Sequence, residues 1–225
     1  VQNLFCHGID DLPKGKKVGV IVHSPGGLAE VAYRISRMIQ ARCGGYTVLV
    51  PRWAKSAATL FSLGADEIIL GRFGELGPLD AQIEDYESEE QRSALEVVQA
   101  IERLNQEAMT AIDHQILFWM RRSGKKIDTL LPLASHFVAE MMQPMFDKID
   151  AINFTKHARI LKVAQDYAVR LLQGHFPPNE AQEIALQLTK NYSDHGFVID
   201  TREAKSLGLD VNNPSAQLGK LLDRL

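Results

Sequence analysis

VGVIVHSPGG, residues 18–27, joins a run of β-branched residues to a turn with no obviously reactive side chain. The run from Val18 to Val22 reads as a buried strand, and Ser24-Pro25-Gly26-Gly27 ends it abruptly. Behind the turn, Leu28, Val31, Ala32, Ile35, Met38 and Ile39 recur at helical spacing until Gly44-Gly45 close the segment as a C-cap would. The unit is strand, glycine-rich turn, amphipathic helix. What such a turn offers a ligand is backbone, because a glycine N–H can be approached with no Cβ in the way.

Working outward, YTVLV (46–50) predicts a second strand cut off by Pro51, and SAATLFSLGA (56–65) is small and apolar all round, as an enclosed helix should be. A third strand follows in EIILG (67–71). Strands alternating with helices imply βαβ units and a parallel or mostly parallel sheet, with ligand sites at the strand-to-helix turns. GELGPLD (74–80) is turn-rich, and residues 84–92 carry Glu84, Asp85, Glu87, Glu89 and Glu90, which predicts an acidic, mobile, solvated loop.

From Ser93 the pattern is helical. Ile101, Leu104, Ala108, Ile112, Ile116, Trp119 and Met120 line one face until Ser123-Gly124; a Met-rich stretch, FVAEMMQPMF, is interrupted at Pro144; another amphipathic helix runs over 154–173. Asn179 is expected to cap a helix through Leu188, and a short late strand is expected near 196–200, before a short helix from Thr201 to the Gly208 stop. The organisation read from this is one domain, 1–225: an α/β catalytic core over 1–83, the acidic loop, and a mainly helical part over 93–225.

Composition narrows the function. Of 225 residues 45% are hydrophobic and 24% charged, an ordinary globular balance, and the formal net charge of -3 leaves no basic face for a nucleic-acid backbone. Two cysteines, Cys6 and Cys43, build no disulfide framework or zinc spacing and fit a reducing compartment. No apolar run approaches the roughly 20 residues that span a bilayer. Because the chain opens on Val1 rather than Met, the expectation is a cytoplasmic protein whose membrane association, if it has one, comes through a segment before Val1.

Acyl transfer needs a nucleophile, a proton acceptor, and donors aimed at the oxyanion of the tetrahedral intermediate. Gly26 and Gly27, between a strand and a helix, fit the donor role. Ser56 follows the second strand and the turn PRWAK and opens the small-residue helix, where its hydroxyl meets the positive end of the dipole and the Ala57 N–H is a second donor. Each feature has a plainer alternative: a tight turn with Pro25 setting φ, and a Ser serving as an N-cap.

In this order and spacing, VIVHSPGGLAEVAYRISRMIQ followed by KSAATLFSLGADEIILGRFGELGPLDAQ resembles the Clp-peptidase and crotonase-like superfamily. Within it the chain is similar to the serine dehydrogenase proteinase family, related also to signal peptide peptidase A. The likeness extends to FDKID, RILKVAQDYAVRLL and SDHGFVIDTREAKSLGLDV. It implies a ClpP/crotonase-like α/β fold with a helical C-terminal half, Ser56 as nucleophile, the N–H groups of Gly26 and Ala57 as oxyanion hole with Gly27 opening the helix behind it, a peptide or unfolded-protein substrate added as a strand, and a homo-oligomer. Despite the family's label, no pyridoxal or nicotinamide site is read here, and no cofactor or metal is expected.

The general base is the open position. The Clp peptidase places a His where this chain has GELGPLDAQI, with Asp80 nearest; signal peptide peptidase A uses a Lys, and here none lies between Ser56 and Lys125. Candidates are therefore Asp80, His195 in SDHGFVID, and Lys148, with Lys55, Lys125 and Lys126 or a residue of another subunit as further options. Lys55 is a chain neighbour of Ser56 and should point elsewhere. His23 borders the turn; His114, His136, His157 and His175 read as surface or packing residues. A serine peptidase is the first reading, a non-catalytic oligomeric scaffold that holds peptides the second, and acyl-CoA chemistry on the same fold the third.

Overall fold

Val18, Val20 and Ile21 form β1 (Val18–Ile21), and Val20 pairs in parallel with Val48 of β2 (Tyr46–Val50), which pairs with Ile68 of β4 (Glu67–Leu70), which pairs with Val211 of β8 (Val211–Asn212). This computed structural model describes residues 8–79, 82–84, 91–192, 194 and 196–225. The sheet order is β1-β2-β4-β8, all parallel. Val48, Val50, Leu70 and Val211 are buried on the face where the helices pack. β1 is the edge strand: Val18 and Val20 are half-buried and Ile21 is 55% exposed, so the expected buried strand is buried on one face only.

After each of the first three strands the chain turns and contributes one more extended piece to a second, smaller layer. Ser24 bridges Ala54 of β3 (Trp53–Ala54) in parallel, β3 pairs in parallel with β5 (Glu75–Leu76), and Leu76 bridges Ile199. From this layer the chain enters α1 (Ala29–Arg42) behind Ser24 and α2 (Ala57–Ser62) behind Ala54. Two strand-to-helix turns are thereby set side by side by backbone pairing.

α1 and α2 are tied over β2 by a buried polar relay. Tyr46 donates its hydroxyl to Phe61 O at 2.6 Å and accepts from Ser36 Oγ at 2.8 Å, and Gln40 Nε2 donates to Gly64 O at 2.7 Å. Burial pushes the Tyr46 phenol well above the ordinary tyrosine range, an effect that the Ser36 hydroxyl opposes and Asp66 adds to. The C-terminal end of α5 (Ala151–Leu172) inserts Ala168, Leu171 and Leu172 into this core, Tyr167 stacks on Tyr33 at 4.4 Å, and α6 (Pro178–Lys190) covers the rest with Ala181, Ile184, Ala185 and Leu188.

α3 (Ala94–Ser123) and α4 (Ile127–Phe146) form a helical hairpin that closes on Ile116, Leu130, Ala134, Val138 and Met142. α4 continues through Pro132 and through Pro144, where the sequence suggests an interruption; each proline removes one N–H from the helix, and packing on α3 holds the rest. Residues 82–84 and 91–93 are strands β6 (Gln82–Glu84) and β7 (Gln91–Ser93), paired antiparallel, so the flanks of the expected acidic loop are ordered by backbone pairing; residues 85–90 lie outside the described residues.

Three further expectations are corrected. α6 starts at Pro178, whose fixed φ suits the first helical position, so Asn179 lies inside the first turn rather than capping it. The late strand near 196–200 reduces to the single bridge at Ile199, because Asp200 Oδ1 accepts from the N–H groups of Arg202 and Glu203, both at 2.8 Å, and starts α7 (Thr201–Ser206) there. The late strand proper is β8, which returns to the sheet, so the α/β layer is not confined to 1–83. α8 (Ala216–Leu222) ends the chain.

Candidate active site

Ser24 N–H donates to Trp53 O at 3.0 Å and Lys55 N–H donates to Ser24 O at 3.0 Å. This ladder holds the HSPGG turn against the entry to α2. Ser56 follows at φ 51°, ψ -115°, the only non-glycine residue with positive φ among the described residues, and is 9% exposed. Such a conformation costs about 1–3 kcal/mol and persists only where the surroundings over-determine it.

Ser56 occupies the N-cap position of α2 without doing a cap's work, since Oγ accepts no bond from the helix's own first turn. All six residues of α2 are buried. The small Ala57 and Ala58 let the helix start beneath the turn. Ala58 N–H is used by Lys55 O at 2.9 Å, whereas Ala57 N–H meets no acceptor among the described residues.

The two glycines differ. A Cβ at Gly26 would lie 2.9 Å from Ser56 Cβ, 3.1 Å from Lys55 O and 3.4 Å from Ser56 Oγ, and φ there is 127°. Gly26 is what allows the turn to lie on Ser56. Its N–H, however, donates to Ser24 Oγ at 3.2 Å. Gly27, at φ 149°, faces open space, and its N–H has no acceptor among the described residues. Of the donors expected from sequence, Ala57 has an unengaged amide and Gly26 does not, while Gly27 does. Local sequence could not separate adjacent glycines; the Ser two residues earlier, positioned for a side-chain turn, was the available signal.

The Lys55 ammonium is engaged by other segments. It bonds Glu75 Oε1 at 2.6 Å, Phe197 O at 3.0 Å and Leu76 O at 3.2 Å. Thr59, fully buried, places Oγ1 2.6 Å from Ala54 O and 2.9 Å from Gly77 O and accepts from Gly77 N–H at 3.0 Å. Sequence reasoning passed over Thr59, though a hydroxyl inside an otherwise apolar helix was its signal.

Asp80 and His195 lie outside the described residues. Lys148 is exposed in the turn between α4 and α5, and the 22 residues of α5 put roughly 33 Å between that turn and the core end of the helix. Lys125 and Lys126 are exposed at the α3–α4 turn. The Lys148 turn is therefore at the far end of α5 from the core that Ser56 adjoins. His23 packs edge-on against Trp53 at 4.4 Å, and buried His157 places Nδ1 2.6 Å from Asn153 O as a packing residue. Among the described residues no three His, Cys, Asp or Glu side chains gather as metal ligands, and no helix is long and apolar enough to cross a membrane.

Comparison with known proteins gives this geometry a context. Two uncharacterized proteins of Methanocaldococcus jannaschii, MJ0137 and MJ1495, are 28% and 26% identical over 200 residues, which is 89% of this chain and 55% and 53% of theirs. The chain thus spans about half the length of the curated relatives it matches. No solved structure matches. Residues 5–169, from before β1 through the HSPGG turn and Ser56 and into α5, match one family throughout, and with its parallel sheet and helical C-terminal half the chain belongs to the ClpP-like SDH-type serine proteinases.

Proposed function

We propose that the chain hydrolyses peptide bonds through Ser56. Oγ attacks the scissile carbonyl carbon while a base takes its proton; the carbonyl oxygen becomes the oxyanion between the N–H groups of Ala57 and Gly27; collapse expels the amine, which recovers the proton, and water then releases the acyl group from Oγ. The observation that carries this reading is the strained Ser56 backbone held directly beneath Gly26, next to amides that have no acceptor among the described residues. Gly26 supplies close approach and Gly27 the donor.

His195 is the proposed base, with Asp80 the other candidate. Support comes from their described neighbours: Phe197 O accepts from Lys55, the residue before Ser56, and Gly77 bonds Thr59 within α2. Peptide substrates are proposed to add as a strand beside the HSPGG turn. The self-assembled state is supported by the apolar side chains that α3 and α4 leave in water, among them Leu117, Phe118, Leu131, Leu133, Phe137 and Met141, each 44–55% exposed.

The test is covalent labelling with a fluorophosphonate probe, read by mass spectrometry, beside turnover of an unfolded protein. Labelling confined to Ser56, abolished in Ser56→Ala and slowed in His195→Ala, is expected. Binding of peptide with neither labelling nor turnover would instead establish the non-catalytic scaffold.

A further inference from the structure

We infer that Lys55 and Thr59 are positioning residues, a pair of side-chain anchors that hold Ser56 in its left-handed conformation and so aim Oγ and the Ala57 N–H. A serine at φ 51° relaxes toward negative φ unless the chain on both sides is held. Upstream, Lys55 is held through its backbone, with N–H to Ser24 O and O from Ala58 N–H, and through its ammonium. The three acceptors of that ammonium, Glu75 Oε1, Leu76 O and Phe197 O, use its three hydrogens and belong to two segments far apart in sequence. Its side chain is 12% exposed, and a methyl at Gly77 would lie 2.5 Å from its Cδ, so the lysine stem is fitted against that glycine.

Downstream, one turn into α2, the Thr59 hydroxyl spans the end of β3 at Ala54 O and the backbone of Gly77. Both anchors therefore end on the same stretch, Glu75-Leu76-Gly77. Ser56 lies between two residues pulled toward one support, and rotating its φ would draw both away from it. A lysine so used, with Glu75 Oε1 2.6 Å from its nitrogen and two carbonyl oxygens beside it, is engaged in holding the chain. The residue that sequence considered as a base is instead part of the frame.

This inference rests on Ser56 as the reacting group, and its test separates the two. Lys55→Met and Thr59→Val are compared with Glu75→Gln, which keeps an oxygen acceptor for the ammonium. Lys55→Met and Thr59→Val should each slow fluorophosphonate labelling of Ser56 and lower kcat by roughly 10–100-fold, the scale of a small misplacement of a reacting group, with KM within about threefold. Glu75→Gln should stay within about threefold of wild type on both. If Lys55→Met does not fold, Lys55→Met/Glu75→Leu replaces the ion pair with apolar contact and should fold and still label slowly. Folded Lys55→Met that labels at the wild-type rate overturns the inference. Should the wild type itself not label, amide hydrogen exchange decides: faster exchange at Leu76 and Ile199 in Lys55→Met supports the anchor, and unchanged exchange overturns it without reference to catalysis.

Discussion

The helix that Ser56 opens is built from small or apolar side chains, all of them buried; along α3 and α4 large apolar side chains are left exposed. Ala54, Ala57, Ala58 and Thr59 are at most 7% exposed and Gly26 sits directly on Ser56, whereas Met109, Leu133 and Met145 are each more than half exposed on the hairpin. Beside Ser56, the proposed nucleophile, the proposed oxyanion donors are backbone N–H groups, and the side chains of Lys55 and Thr59 bond to the backbone around it. On the hairpin the backbone is satisfied within the helices, and the surplus is apolar side-chain surface left partly in water. The two regions should therefore fail differently: the first through chemistry and strain, the second through assembly.

The largest effect is expected at Ser56, the proposed nucleophile. Ser56→Ala should reduce peptide turnover on the order of 10⁵–10⁶-fold while circular dichroism stays unchanged. Ser56→Gly should be equally inactive yet more stable than Ser56→Ala by about 1 kcal/mol in urea titration, since glycine adopts φ 51° without strain. Equal stability of the two would break the claim that strain is stored there.

Next comes the glycine pair. Gly26→Ala meets Ser56 Cβ at 2.9 Å as well as an unfavourable φ, so it should lower the melting temperature and slow Ser56 labelling by more than about 100-fold. Gly27→Ala, facing open space, carries only the φ penalty and should melt closer to wild type. A reversed order would undo the distinction drawn between them.

Tyr46→Phe removes the hydroxyl shared by Ser36 and Phe61 O, leaving Phe61 O to its backbone partner Gly64 N–H and the fully buried Ser36 hydroxyl without its tyrosine acceptor, and should destabilise by about 1–3 kcal/mol. The sign with pH follows from the same burial. The folded-state phenol ionises at higher pH than the unfolded one, so its contribution is complete below the ordinary tyrosine pKa of about 10 and falls away as pH rises beyond it. The loss of stability above that pH should be shallower in Tyr46→Phe.

The smallest effect on fold stability is expected on the hairpin. Leu133→Glu or Phe137→Glu, both on exposed positions of α4, should change the melting temperature of the dissociated chain little while lowering the mass measured by light scattering. An unchanged mass would remove the exposed face from the account of self-assembly.

Strands β1, β2 and β4 were legible because each is a short β-branched run bounded by Gly or Pro, and α2 was legible as an enclosed helix because every residue in it is small or apolar. Ser56 and the HSPGG turn were legible as a pair through their order along the chain. The Ile199 bridge, the return of β8 and the Lys55–Phe197 contact were not, because each joins residues more than 100 positions apart and leaves no periodicity in either partner. Pro144 misled for a related reason: its local cost is real, and packing of α4 on α3 outweighs it.

By itself the sequence determined the parallel α/β class, the family, and the two short stretches that meet at Ser56, since these follow from local propensity, turn chemistry and motif order. Only the tertiary structure decided which glycine keeps its amide unengaged among the described residues, that Ser56 is held at positive φ, and that the Lys55 ammonium meets Glu75, Leu76 and Phe197. Those outcomes depend on hydrogen bonds and contact distances between segments that meet only when the second layer of Ser24, β3, β5 and Ile199 assembles.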